Sequence, residues 1–154
     1  MKYIIFPLCL LSINVVSAEL EHYVNFGISD GYTALYDSSF TPSIGYHVVS
    51  GKAHRWSATV SHAVDYNYTT MVGAYDYLYS VAPKWALLVG ASTGYSHSDV
   101  DDGVLAGGRV GAMYEAAKNL KLEFGYRAED TIDNWKNRDM SRIETLYFGV
   151  NMKV

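Results

Sequence analysis

The sequence predicts an all-β fold: an eight-stranded antiparallel up-and-down transmembrane β-barrel. Three observations point to it. From about Glu21 onward, apolar and polar residues alternate with period two, the period of a strand. Leu120, Leu122, Phe124 and Tyr126 interleave with Lys121, Glu123, Gly125 and Arg127, and Leu146, Phe148, Val150 and Met152 interleave with Tyr147, Gly149, Asn151 and Lys153. Second, glycine collects on the polar parity: Gly27, Gly45, Gly90, Gly94, Gly107, Gly111, Gly125 and Gly149. Glycine weakens a strand, so a solvated face has no reason to gather it, whereas a crowded interior does. A narrow barrel with small and polar groups inside and apolar groups outside meets both demands. Third, the connections alternate between short turns and longer polar segments.

Eight strands follow in order. The first is about His22 to Ser29, with Val24, Phe26 and Ile28 outward. The second, Thr41 to Val49, turns Ile44, Tyr46 and Val48 outward, and Ser50-Gly51-Lys52 is a tight turn. The third, Ala53 to Val64, places Trp56, Ala58 and Val60 outward. The fourth, Asn67 to Val81, carries Tyr75, Tyr77 and Tyr79 on one face and ends at the turn Ala82-Pro83-Lys84. The fifth is Trp85 to Ser96 and the sixth Val104 to Ala116; Ala117-Lys118-Asn119 turns into the seventh, Leu120 to Glu129. The eighth is Ser141 to Val154. Segments near Asp30–Phe40, His97–Gly103 and Asp130–Met140 are the longer loops, and the one near Asp65-Tyr66 is brief. Trp56, Trp85, Tyr46, Tyr79 and Tyr114 fall toward the short-turn ends, where an interfacial girdle belongs.

The amino terminus reads as a secretory signal peptide over residues 1–18, leaving 19–154 as the barrel domain. Lys2 opens it, Tyr3 to Val16 is mostly apolar, and Val16-Ser17-Ala18 is a small-residue cleavage site. Pro7, Ser12 and Asn14 interrupt the apolar run, which is too short for the roughly 20 residues of a helical anchor. Cys9, the only cysteine, lies inside this segment, so the barrel carries neither disulfide nor thiol chemistry. The formal charge of −4 provides no basic footprint for nucleic acid.

The stretch Val104-Leu-Ala-Gly-Gly-Arg-Val-Gly-Ala-Met-Tyr-Glu-Ala-Ala-Lys-Asn-Leu-Lys-Leu-Glu-Phe-Gly-Tyr-Arg127 resembles the penultimate hairpin of the small outer-membrane barrels, the superfamily of the OmpA transmembrane domain, OmpX and the Opa-type proteins. Tyr147, Gly149, Met152 and Val154 resemble the carboxyl-terminal signal read by the barrel-assembly machinery, with Val154 standing where an aromatic residue is usual. The resemblance implies a bacterial outer-membrane location, contact with lipid and lipopolysaccharide, a monomer, and loops facing outside the cell that could meet an extracellular or host ligand. It does not select a function, because this fold hosts adhesins, resistance factors and lipid-modifying enzymes.

Candidate chemistry is sparse. Ser96-His97-Ser98-Asp99 brings serine beside histidine, but strand neighbours point to opposite faces, which disfavours a nucleophile–base pair. The five histidines, His22, His47, His54, His62 and His97, are expected at rims and loops. Asp99, Asp101, Asp102 and Gly103 fail the EF-hand spacing, since Val104 falls where glycine is required, and read as a tight turn. No metal, cofactor or catalytic residue is expected. What remains is an interior charge cluster of Asp76, Arg109, Glu115, Lys121, Glu123 and Arg127. An eight-stranded barrel is just wide enough for side chains to fill, and buried charges must pair, so a salt-bridged plug is expected, and with it a structural or surface-interaction role of the adhesion or resistance type, with a narrow channel as the alternative and a lipid A-modifying enzyme third. Pairing Glu115 with Lys121 sets Arg109 opposite Arg127, which calls for a carboxylate between them, from Glu123 or Asp76.

Overall fold

Alternation on every strand leaves one row of side chains to fill the inside and one to face out, and the sheet closes on itself. The computed structural model describes residues 19–33, 39–64, 67–97, 102–132 and 142–154. Strands β1 (Leu20–Thr33), β2 (Ser39–Ser50), β3 (His54–Ala63), β4 (Tyr68–Ala82), β5 (Trp85–His97), β6 (Asp102–Ala117), β7 (Leu120–Thr131) and β8 (Arg142–Lys153) form a closed barrel in sequence order. Each pairs antiparallel with its neighbours, and β1 closes on β8 with Gly27 opposite Gly149. The fold class is therefore the predicted one.

The strands run longer than the alternation alone implied. β1 continues to Thr33 and β2 begins at Ser39, so much of the segment expected as a loop is paired strand, Gly31 lying opposite Ser39. β6 likewise starts at Asp102 and β7 ends at Thr131. Backbone hydrogen bonding extends a hairpin past the zone where apolar alternation is needed, so polar sequence there conceals strand. At the opposite end a bulge lies between Glu115 and Ala117, and Ala117 pairs with Leu120, which shortens the expected three-residue turn to Lys118-Asn119.

The expected faces hold. Phe26, Ile28, Ile44, Tyr46, Trp56, Val60, Val89, Phe124 and Phe148 are exposed, and Tyr75, Tyr77 and Tyr79 face out with them. The inward glycines are crowded sites. A Cβ at Gly125 would lie 2.5 Å from the Val110 carbonyl oxygen and 2.6 Å from Tyr147 Oη, and one at Gly149 would lie 2.6 Å from Asn25 Nδ2. Outward Gly73 has nothing nearer than 3.9 Å. At the short-turn end the interior is apolar: Tyr23, Val49, Leu78, Leu88 and Met113, from five strands, pack into one buried layer with Ala86 against it.

Gly125→Ala should therefore destabilise the barrel by about 1–3 kcal/mol, the usual cost of overpacking, while Gly73→Ala should leave stability within about 0.5 kcal/mol. Urea unfolding of the two variants checks this; equal effects would mean that the glycines do not mark the crowded face.

Candidate functional site

Parity places Arg55 and Ser57 of β3, Asp76 of β4, Arg109 of β6, Glu123 of β7 and Asn151 of β8 inside, just beyond the apolar layer. Their heads meet. Arg55 donates through Nε to Asp76 Oδ2 (2.8 Å) and holds Glu123 with both terminal nitrogens, Nη1 to Oε2 (2.5 Å) and Nη2 to Oε1 (2.9 Å). Arg109 donates Nε to Asp76 Oδ1 (2.5 Å) and Nη2 to Asp76 Oδ2 and to Ser57 Oγ (2.7 Å). Asn151 donates to Glu123 Oε2 (3.2 Å) and accepts from Asn25 Nδ2 (2.9 Å). Arg55, Asp76 and Glu123 are 1%, 0% and 3% exposed. Two guanidiniums and two carboxylates cancel, so the buried network is neutral, and the forked geometry satisfies the carboxylates from several sides.

Gly90 makes this closure possible. It lies between Asp76 and Arg109 in the cross-strand row, and a Cβ there would run into Asp76. With no side chain on β5, the ion pair reaches across the intervening strand.

The six residues expected in one interior cluster divide among three places. Asp76, Arg109 and Glu123 come together. Arg127 pairs instead with Glu129, Nε to Oε2 at 3.2 Å, so among the described residues no single acid bridges Arg109 and Arg127; the two arginines turn to separate carboxylates although they are register partners. Lys121 lies at the short-turn mouth, 4.5 Å from the Tyr23 ring centroid and 3.5 Å from Glu21 Oε2, and Lys153 approaches Glu21 Oε1 at 2.7 Å. Glu115 pairs in register with Lys121 but is exposed, because it stands beyond the enclosed part of the barrel; its place in the interior cluster is corrected to the rim. Arg55 and Glu129 were missed, although the parity set by Trp56 and by Glu123 already turns both inward.

His47 corrects the expectation of rim histidines, since it is buried in the lumen, two residues from inward Gly45. His54, His62 and His97 are exposed, and His22 is half-buried. Ser96 points inward to the Gly103 carbonyl (3.2 Å) and His97 outward, as opposite faces require; Ser98, Asp99 and Asp101 lie outside the described residues. One outward row at the loop end runs His62, Thr69, His97, Asp102. Asp102 contacts His97 Nδ1 at 2.5 Å, but Thr69 Oγ1 bonds His62 Nδ1 at 2.9 Å rather than His97, so no acid–base–nucleophile relay is joined there. Among the described residues no group of three histidines, cysteines or carboxylates is placed to hold a metal.

A polar cavity of about 40 Å³ lies beside the network, bordered by Asn25, His47, Thr59, Arg109, Arg127 and Tyr147. Arg127 Nε approaches Glu129 without the alignment of a hydrogen bond, Tyr147 Oη lacks a hydrogen-bond partner among the described residues, and the space suits a bridging water. Of the four carboxyl-terminal residues resembling an assembly signal, Tyr147 and Gly149 face the lumen, while Met152 is outward and Val154 follows the last strand.

No family model matches the chain, and no curated protein matches it. Solved structures do. The chain is similar to neisserial surface protein A (15% identity, TM-score 0.65, 88% of this chain and 97% of that one). It is similar to the N-terminal β-barrel domain of Pseudomonas aeruginosa OprF (10%, TM-score 0.64, 87% and 100%) and to a de novo designed transmembrane β-barrel (16%, TM-score 0.64, 87% and 95%). The fold is that of the small eight-stranded outer-membrane β-barrels.

Removing one acid from the network would strand a buried guanidinium. Asp76→Ala should destabilise by about 3–5 kcal/mol, whereas exposed Glu115→Ala should change stability by less than about 0.5 kcal/mol. Denaturant midpoints read both; a mild Asp76 variant would show that the network does not hold the lumen.

Proposed function

We propose that this chain is a bacterial outer-membrane barrel with a structural or surface-interaction role, its lumen plugged, its short turns in the periplasm and its loops outside the cell. The observation that carries this reading is the pairing of an apolar exterior with a neutral, salt-bridged interior. An exterior of Phe26, Ile44, Val89, Phe124 and Phe148 is unsuited to water and suited to lipid. At its short-turn end that surface is edged by aromatic contacts, Trp56 with Tyr75 at 5.6 Å and Trp85 with Tyr114 at 4.9 Å between ring centroids, as expected where strands meet headgroups.

Two stacked layers support the plug. The apolar layer of Tyr23, Val49, Leu78, Leu88 and Met113 draws on five strands, and the Arg55–Asp76–Arg109–Glu123 network adds β3 and β7. Opening a path would require undoing buried pairs and desolvated packing together. Export by residues 1–18 and delivery by the assembly machinery complete the proposal; that leader lies outside the described residues, as do the tips of the loops on which an external ligand would act. The name of the neisserial surface protein accords with a surface role.

Full-length protein expressed in a Gram-negative host should fractionate with the outer membrane and change gel mobility on boiling. Purified barrel in a planar bilayer should show no discrete conductance steps; steady steps would favour the narrow channel instead. Phe124→Arg should lower stability in lipid by about 2–4 kcal/mol, read by urea titration in vesicles, and a neutral outcome would remove Phe124 from the hydrocarbon.

A further inference from the structure

All three short turns carry an exposed lysine: Lys52 between β2 and β3, Lys84 between β4 and β5, and Lys118 between β6 and β7. Among the residues whose exposure is described these are the exposed lysines and arginines, and none has an ion-pair partner among the described residues. Lys121 and Lys153, at the same end, are drawn to Glu21. Exposed Glu115 and Glu19 are the acids nearby, so the collar keeps a positive balance.

Two further observations give the collar meaning. Each lysine lies just beyond an outward aromatic. Lys84 immediately precedes Trp85, Lys52 is two residues before His54, which stacks with Tyr75 and Trp56, and Lys118 follows Tyr114 of the Trp85 pair. Aromatic rings of this kind settle at headgroup level, which puts the ammonium groups at phosphate depth. Lys52 is also held at φ 64°, after Gly51 at φ 59°, in a turn closed by the Ala53 N–H to the Ser50 carbonyl (3.3 Å). That left-handed position favours glycine or asparagine, and the tight turn fixes where Lys52 leaves the rim.

We infer that Lys52, Lys84 and Lys118 form a phosphate-binding collar that selects anionic phospholipid in the leaflet facing the short turns. The inference rests on the membrane-spanning reading above. Each surface lysine strengthens association with an anionic leaflet by about fivefold, and the effect is screened by salt. Three turns spaced around one rim favour an annulus of lipids over a single ligand.

The test uses full-length protein recovered from outer membranes and reconstituted in phosphatidylcholine bilayers with or without phosphatidylglycerol; lipids retained by the extracted barrel are counted by native mass spectrometry. Wild type should retain phosphatidylglycerol over phosphatidylcholine. The K52Q/K84Q/K118Q variant should lose that preference by up to about 100-fold, the triple arginine variant should keep it, and Lys121→Gln should leave it nearly intact. Heat-modifiable migration of each variant shows that it remains a folded barrel. A folded, membrane-inserted triple glutamine variant with unchanged lipid preference overturns the collar and leaves the membrane reading standing. Wild type recovered outside the membrane overturns both, and a lysine-dependent affinity for isolated cell wall without lipid preference overturns the lipid assignment.

Discussion

The Arg55 guanidinium is the constraint around which the rest of the lumen is arranged. It is 1% exposed, and it binds Asp76 on the next strand and Glu123 on the opposite wall. A charge in that position is tolerable only if its partners are already placed, so the register of β3 against β4 and the closure that brings β7 across from β3 are coupled to it. Asp76 then needs a second cation, and Arg109 supplies it through the gap left by Gly90. Glu123 takes Asn151, and Asn151 takes Asn25, which ties the closing β8–β1 seam to the same network.

The glycines and the ion pairs are thus two sides of one packing problem. Long inward side chains need inward space, and the narrow barrel provides it only where neighbouring positions have no side chain. Tyr147 fits because Gly125, its register partner on β7, leaves room beside the ring, with Gly111 next in the row. The apolar layer below solves the same problem without charge, and it meets the network at Met113, whose sulfur lies 3.8 Å from Arg55 Nη1. Outside, side chains are exposed rather than packed across a core, which is why their parity tolerates Ala58, Gly73 and Gly108 among the large residues.

Strand number, faces and the β6–β7 register were legible in the sequence because period two is a local property and a one-residue slip would invert every side chain. Arg109 opposite Arg127 and Gly111 opposite Gly125 came from that rule together with the pairing of Glu115 and Lys121 across a short turn. Which inward charges touch was not legible, because it depends on strand tilt and on contacts across the lumen. Arg55 and Glu123 are 68 residues apart, and no pattern in either strand announces the other. Glu129 was lost for a different reason: it sits in the last inward position assigned to the seventh strand, where polar sequence resembles loop. Glu115 fails in the opposite sense. Its parity is inward, but depth along the barrel, not parity, decides burial at a strand end.

The proposed plug moves the question of function to the two ends of the barrel. At the loop end Asp30, Asp102 and Asp130 are exposed. At the other end the exposed cations sit one per turn, beside aromatic residues. The two guanidiniums and two carboxylates of the interior network leave it without net charge. A pore would need its charges arranged along a path; here Arg55, Arg109, Asp76 and Glu123 are spent on one another, which supports the proposed plug and turns attention to the rims.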